Sequence, residues 1–320
     1  MTAPIFIRVL GRPLTKACIR YLQWRGYTKI PERSKAASPN PKTTAAAGLL
    51  RPTENAASPL GSLTPAEAPL IEAEKLSEQP GPPQYFYDED NLATPHNHDF
   101  IDDPRFQEAL AISRSSPLGM RGYYHGRWNI HVAIWAASHA LALGADIVQL
   151  GVCEGAEASA IINFTNFANR PQRMFLVDTF TGVPEEQWTA DELKAGANSA
   201  QWAYKESDRY EYVRNRFSAW MNVTVIRGRV PDVLPSVTVS RIGLLMLDLN
   251  VAAPERAAAE FFWDRIVPGG IILSDDYGHS RSGVGFIGQK IAFDEFARSK
   301  GVSVLTIPTG HGLILKPGTG

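Results

Sequence analysis

Two short stretches decide the fold: Leu244-Leu-Met-Leu-Asp248 and Gly269-Gly-Ile-Ile-Leu-Ser-Asp275-Asp276. Each apolar run is short enough for a buried strand, and each stops at carboxylates where the chain must turn back toward water. Asp248 and Asp275 are 27 positions apart, room for one helix and one strand, so the two strand ends are expected side by side. Asp248, Asp275 and Asp276 then meet at one sheet edge, an all-oxygen set suited to a hard divalent cation. Ordinary aspartates capping helices and closing turns are the competing account.

Outward from these stretches the chain alternates strand-like and helical segments. Asn129–Leu143 reads as an Ala-rich helix, Asp146–Leu150 as a strand, 155–168 as a helix and Arg173–Asp178 as a strand. Helix 208–220 and strands 223–228 and 242–248 follow, then helix 254–265, strand 270–275 and helix 286–299. Repeated strand–helix units imply a parallel α/β sheet of Rossmann-like type with helices on both faces. The last two runs, 302–308 and 312–316, are divided by Thr309-Gly-His-Gly and predict an antiparallel hairpin at one edge.

Ahead of this domain, expected from about 91 to 320, residues 31–84 hold ten of the 23 prolines, ten alanines and no aromatic residue. So little large apolar surface cannot offset the entropy of ordering, which predicts a disordered linker over about 31–90. Residues 1–30 carry six basic residues and no acid, with Leu10, Leu14, Cys18, Tyr21 and Leu22 at helical spacing. A basic amphipathic helix over about 12–24 would lie on an anionic membrane surface, on a partner or on its own domain. No apolar run reaches bilayer length and the N-terminus lacks a continuous signal core, so the catalytic part is expected to be soluble.

The balance of 32 basic against 33 acidic residues gives no global attraction to nucleic acid. Two cysteines, Cys18 and Cys153, exclude a disulfide framework and fit a reducing cytoplasm. Self-association into a homo-oligomer stays open.

In a sheet of this kind ligands bind beyond the C-terminal strand ends. The loop after the first strand reads Gln149-Leu-Gly151-Val-Cys-Glu-Gly155, with two glycines for a tight turn. Asp178 ends the second strand, 23 residues after Gly155, where an acid accepts hydrogen bonds from ribose hydroxyls. Cys153 stands where a GxGxxG would have its middle glycine, so an adenosyl cofactor without pyrophosphate is favoured over a nicotinamide dinucleotide.

Four strings resemble the class I S-adenosylmethionine-dependent methyltransferases, and among them the macrocin O-methyltransferase group. They are the glycine loop, Asp178-Thr-Phe-Thr-Gly-Val-Pro-Glu185, Arg227-Gly-Arg-Val-Pro-Asp-Val-Leu-Pro235 and Pro268-Gly-Gly-Ile-Ile-Leu-Ser-Asp-Asp-Tyr-Gly278. The resemblance covers about 145–316. It implies a seven-stranded sheet with an antiparallel final strand, Gly151 and Gly155 under the methionine part of the cofactor, and Asp178 on its ribose. It further implies Mg²⁺ on Asp248, Asp275 and Asp276, with an acceptor diol completing the coordination. The implied reaction is methyl transfer to a hydroxyl of a sugar, in a small secondary metabolite or a cell-surface glycan.

Two positions depart from the family. Gln149 replaces an acid that would face the cofactor's ammonium, and Asn250 replaces an acid expected to take the acceptor's proton. Asp248 doubling as base, transfer to water and a histidine remain the routes, with His279 the candidate ahead of His125 and His311. A lid is expected over 185–208, where Trp188, Trp202 and Tyr204 stand among charged residues. A non-catalytic cofactor-binding module and a nicotinamide-dependent oxidoreductase are the other readings of the same sheet.

Overall fold

The structure, a computed structural model, describes residues 87–318 apart from 90–91, 123–124, 201, 206 and 279–286, together with the backbone of 8–9 and 12–13. Two compact units are present, Met1–Gly81 and Pro82–Gly320. In the first, Arg8–Val9 pairs antiparallel with Arg12–Pro13. The chain is therefore extended at the point where the basic helix was expected to begin, and the rest of that helix and the stretch 31–86 lie outside the described residues. In the second unit Tyr87–Glu89 pairs with Leu92–Thr94, a hairpin lying across the boundary expected near 90.

Seven strands form one sheet: β1 (Asp146–Leu150), β2 (Met174–Asp178), β3 (Val223–Arg227), β4 (Ile242–Leu247), β5 (Ile266–Ser274), β6 (Leu305–Thr306) and β7 (Gly312–Leu315). Their order across the sheet is β3-β2-β1-β4-β5-β7-β6. β1 to β5 are parallel, and β7 runs antiparallel to both β5 and β6. The chain starts in the middle, works to one edge, then returns to the centre and works to the other. The reversal of strand order next to β1 opens the crevice in which such sheets bind ligands.

The main helices are α1 (Pro104–Ser113), α2 (Arg127–Ala142), α3 (Ala156–Phe164), α4 (Tyr210–Phe217), α5 (Ala252–Phe262) and α6 (Ile287–Ser299). Strand side chains alternate between two buried layers, as the period of two demands. Ile147, Leu176, Leu244, Met246, Ile271 and Leu273 point to one core with Ile130, Ala133, Ala137 and Ala140 of α2 and Ile161 of α3. Val148, Phe175, Val177, Leu245, Leu247 and Ile272 point to the other, with Ala258 and Phe262 of α5 and Phe293 and Phe296 of α6. Burial on both faces explains why β4 reads as a continuous apolar run rather than an alternating one. Each such Leu or Ile contributes about 1.5–3 kcal/mol on burial. Small residues let α2 lie close: a Cβ on Gly243 of β4 would come within 2.7 Å of the Ala140 Cβ.

Candidate active site

Strand register places the functional residues in one row. Leu150 is paired with Val177 of β2 and with Leu247 of β4, Leu247 with Ser274 of β5, and Ser274 with Gly312 of β7. One step beyond those pairs the row reads Asp178, Gly151, Asp248, Asp275 and, because β7 runs the other way, His311. Backbone hydrogen bonds hold the row together: Gly151 N donates to Val177 O at 2.9 Å, Asp248 N to Leu150 O at 2.9 Å and Asp275 N to Leu247 O at 3.0 Å.

The turn after β1 is left-handed at three residues, Gly151 (φ +85°), Cys153 (φ +51°) and Gly155 (φ +75°). At Gly151 a Cβ would stand 1.8 Å from the Asp248 carbonyl oxygen, so only glycine allows β1 and the end of β4 to approach this closely. Asp178 binds the turn from the next strand. Its Oδ2 accepts from the backbone N–H groups of Val152 at 2.7 Å and Cys153 at 2.8 Å, and its Oδ1 accepts from Phe180 N at 2.7 Å. These bonds fix both the carboxylate and the loop, while Asp178 still lines an open cleft with Gly151, Tyr204, Gly228, Asp248 and Asn250. Burial, followed by the negative charge of Asp178, pushes the Cys153 thiol well above its ordinary range.

Asp248, Asp275 and Asp276 each offer an oxygen within 4.8 Å of the others. Burial, then the neighbouring carboxylates, raises both Asp248 and Asp276 well above the usual carboxylate range. Glu255, buried in the first turn of α5, adds a fourth acid beside the half-buried Asp248 and Asp275 and the buried Asp276, and is pushed up to about 8 chiefly by burial. Its Oε1 accepts from Leu249 N at 3.1 Å, and its Oε2 has no hydrogen-bond partner among the described residues. Such crowding of buried acids is costly without a counter-charge. The all-oxygen set, with an orphaned carboxylate oxygen nearby, fits a hard divalent cation.

The residues around the triad explain its posture. Asn250, left-handed at φ +61°, donates from Nδ2 to Asp248 Oδ1 at 2.8 Å. An amide that binds the neighbouring carboxylate steadies it, where a second acid would repel it. His311, buried, sets Nε2 3.0 Å from Asp275 Oδ1, and its Nδ1 lies 2.9 Å from Thr309 Oγ1. The two loops carrying these groups interlock through glycines: Gly278 N donates to Gly310 O, and a Cβ on Gly312 would strike the Tyr277 ring at 2.5 Å. That packing brings Thr309-Gly-His-Gly against Asp-Asp-Tyr-Gly. His279 lies outside the described residues. His125 and Gln149 stand off the row, each beside Glu157, an acid the motifs did not single out. Gln149 donates from Nε2 to Gly151 O at 3.2 Å and to Glu157 Oε2 at 3.0 Å.

The segment after β2 divides in two. Trp188 is buried against Ala197 and Val251, a packed residue rather than a mobile cover. Tyr204 lines the cleft, and the side chain of Trp202 lies outside the described residues. Arg209 ties this segment down, donating to Glu154 Oε1 at 3.1 Å, to Tyr204 O at 2.5 Å and to Ser207 O at 3.1 Å. Glu154 in turn accepts from Leu118 N at 2.8 Å. One buried ion pair thus joins the glycine turn, the chain ahead of α2 and the segment after β2.

The profile of the macrocin-O-methyltransferase (TylF) family matches residues 129–303, more than half of the chain. The chain belongs to this family. It is an O-methyltransferase. The O-methyltransferase NovP has the same fold, with a TM-score of 0.54 at 16% identity over 67% of this chain and 98% of NovP. The calicheamicin methyltransferase CalS11 is similar at a TM-score of 0.48 and 15% identity, over 69% of this chain and 94% of that one. A third similar structure is the S-adenosylhomocysteine-bound methyltransferase PaMTH1 of Podospora anserina, at 0.45 and 14%, over 71% and 98%. No curated protein matches the sequence. Membership sets aside the oxidoreductase reading, and the sheet order with its antiparallel β7 is the seven-stranded arrangement that the motifs imply. Among the described residues no helix is long and apolar enough to cross a membrane.

Proposed function

We propose that this chain is an S-adenosylmethionine- and Mg²⁺-dependent O-methyltransferase whose acceptor is a sugar hydroxyl beside a second hydroxyl. The row of strand ends is the observation that carries the reading. It sets a cleft with a ribose-type acid, Asp178, next to three clustered carboxylates across the close contact of Gly151 with Asp248. When bound, the sulfonium cofactor supplies an electrophilic methyl group, and a divalent cation supplies the positive charge that acidifies and orients a hydroxyl. A diol suits the carboxylate triad because two adjacent oxygens fill neighbouring positions around one hard cation. The name of the family, for an enzyme methylating macrocin, agrees with an oxygen acceptor.

This chain's residues do the positioning. Asp178, already fixed by backbone N–H groups on both oxygens, keeps acceptor capacity on Oδ1 for a ribose hydroxyl. Asn250 and His311 hold Asp248 and Asp275 from opposite ends of the triad. Asn250 cannot take a proton, so the acceptor's proton leaves by Asp248, by solvent or by a histidine such as His279 rather than by this side chain. Holding nucleophile and methyl group in line supplies most of the rate enhancement.

The test is calorimetry with S-adenosylmethionine and with MgCl₂, followed by a mass-spectrometric screen of sugar diols for a gain of one methyl group. Methylation that EDTA abolishes and Mg²⁺ restores is expected, with Asp275→Asn and Asp276→Asn losing the metal response. Full activity in EDTA would remove the metal from the mechanism.

A further inference from the structure

The methyl donor proposed above is a zwitterion at its far end: beyond the sulfonium it carries an α-ammonium and an α-carboxylate. Asp178 marks the ribose side of the glycine turn, on β2. The far end must then lie on the other side of Gly151, toward β4 and β5. Gln149 of β1 is buried there, and its amide bridges Gly151 O and Glu157 Oε2.

Glu157 sits in the first turn of α3 and is 3% exposed. Placement near a helix N-terminus makes an acid tolerable, but it does not supply the counter-charge that a buried carboxylate needs. The hydrogen bond that Glu157 accepts from Gln149 comes from a neutral amide. Its Oε1 faces His125 Nδ1 across 4.0 Å, too long for a hydrogen bond. His125 is more open, with 27% of its side chain accessible. Ligand-type atoms of His125, Glu157 and Asp275 all lie within 4.8 Å of one another. Two carboxylates and one imidazole drawn this close suit a cationic group beside the acids and an anionic group beside the imidazole. An α-amino acid presents that pair on a single carbon.

We propose that Glu157 receives the α-ammonium of the methyl donor and His125 its α-carboxylate, with Gln149 a positioning residue that orients Glu157 from beneath. The subsite rests on the reading of the cleft as an S-adenosylmethionine site. It also gives Gln149 a use: the negative charge is carried one turn into α3 instead of on the strand, and the amide connects it to the glycine turn. Asp275 belongs both to this cluster and to the carboxylate triad.

The experiment compares two ligands on the full chain by calorimetry. S-adenosylhomocysteine carries the amino-acid end; 5′-methylthioadenosine has the same nucleoside and sulfur without it. In the native protein S-adenosylhomocysteine is expected to bind far more tightly. Glu157→Gln, which keeps shape and hydrogen-bonding capacity, should weaken S-adenosylhomocysteine by roughly 10- to 100-fold and leave 5′-methylthioadenosine unchanged. His125→Asn, at a more exposed position, should do the same more mildly and guards against a folding defect in the first variant. Gln149→Leu should weaken the same ligand only, through Glu157.

Equal losses for both ligands, or no loss for either, would overturn the subsite. So would a Zn²⁺ or Mn²⁺ titration in which Glu157→Gln and His125→Asn each delete one bound metal while nucleoside binding stays intact; the cluster would then be a second cation site. If the native protein bound neither S-adenosylmethionine nor S-adenosylhomocysteine, the cofactor reading itself would fail, and the subsite with it.

Discussion

Gly151→Ala tests the geometry on which the whole site depends. The new Cβ would sit 1.8 Å from the Asp248 carbonyl oxygen and 2.5 Å from its carbon, against an ordinary contact of about 3.4 Å. Something must therefore give by about 1.5 Å, and the obstacle is backbone rather than a flexible side chain. Three costs accumulate. A left-handed alanine costs about 1–2 kcal/mol, overpacking about 1–3 kcal/mol, and loss of a strand-end hydrogen bond such as Asp248 N to Leu150 O about 1 kcal/mol. A total of about 3–6 kcal/mol corresponds to a fall in Tm of roughly 6–24 °C for a domain of this size. Gly144→Ala is the control. Gly144 is also left-handed, at φ +65°, but a Cβ there meets nothing within 4 Å, so only the conformational cost applies. Thermal unfolding and S-adenosylhomocysteine titration of both variants separate the terms: Gly144→Ala should bind normally, and Gly151→Ala should lose both stability and ligand. If the two melted alike and bound alike, the close approach of β1 to the end of β4 would be wrong, and the row of functional residues with it.

Other expectations follow from the same geometry. Glu255 in the folded protein is pushed up to about 8, from an ordinary value near 4.5. Between those values the folded state holds a proton that the unfolded state has released, so metal-free stability should fall as pH rises through that window, by up to about 5 kcal/mol. Denaturant unfolding at pH 5.5 and 8.5 should show the fall, MgCl₂ should oppose it, and Glu255→Gln should lessen it, leaving the part that Asp248 and Asp276, raised in the same direction, contribute. Arg209→Met leaves Glu154 buried without its cation and should cost about 3–5 kcal/mol by urea unfolding; a change below 1 kcal/mol would mean that the pair ties nothing together. Because burial raises the Cys153 thiol, iodoacetamide at pH 7 should label a Cys18→Ser protein far more slowly than it labels an exposed cysteine.

The order of strands and helices was legible in the sequence because both faces of the sheet are buried: runs such as Leu244–Leu247 carry the signal without needing alternation. Boundaries were less legible. β5 starts at Ile266, before the Pro268-Gly-Gly where a turn is the natural reading, because the strand continues through a register irregularity opposite Ile242 and Leu244. β6 keeps only Leu305–Thr306 of a longer apolar run. The three metal-type aspartates were readable from spacing alone, since parallel strands place successive C-terminal ends together. The place of His311 beside Asp275 was not, because that contact depends on the antiparallel register of β7. Glu157 was hidden for another reason: an acid in the first turn of a helix is the commonest place for one, and only its neighbours Gln149 and His125 make it unusual. The expected proton acceptor at 250 is an amide whose visible work is to hold Asp248.

The row of strand ends also acts as a ruler. Neighbouring strands lie about 4.8 Å apart, so the three steps from Asp178 to Asp275 span about 14 Å, a distance written by backbone hydrogen bonds and by no side chain. The proposed donor and acceptor sites are therefore spaced by the part of the molecule that mutation alters least. Loops such as 185–208 can drift toward new acceptors without disturbing the spacing between Asp178 and the carboxylate triad. A lineage of such enzymes would change what it methylates far more readily than how it methylates.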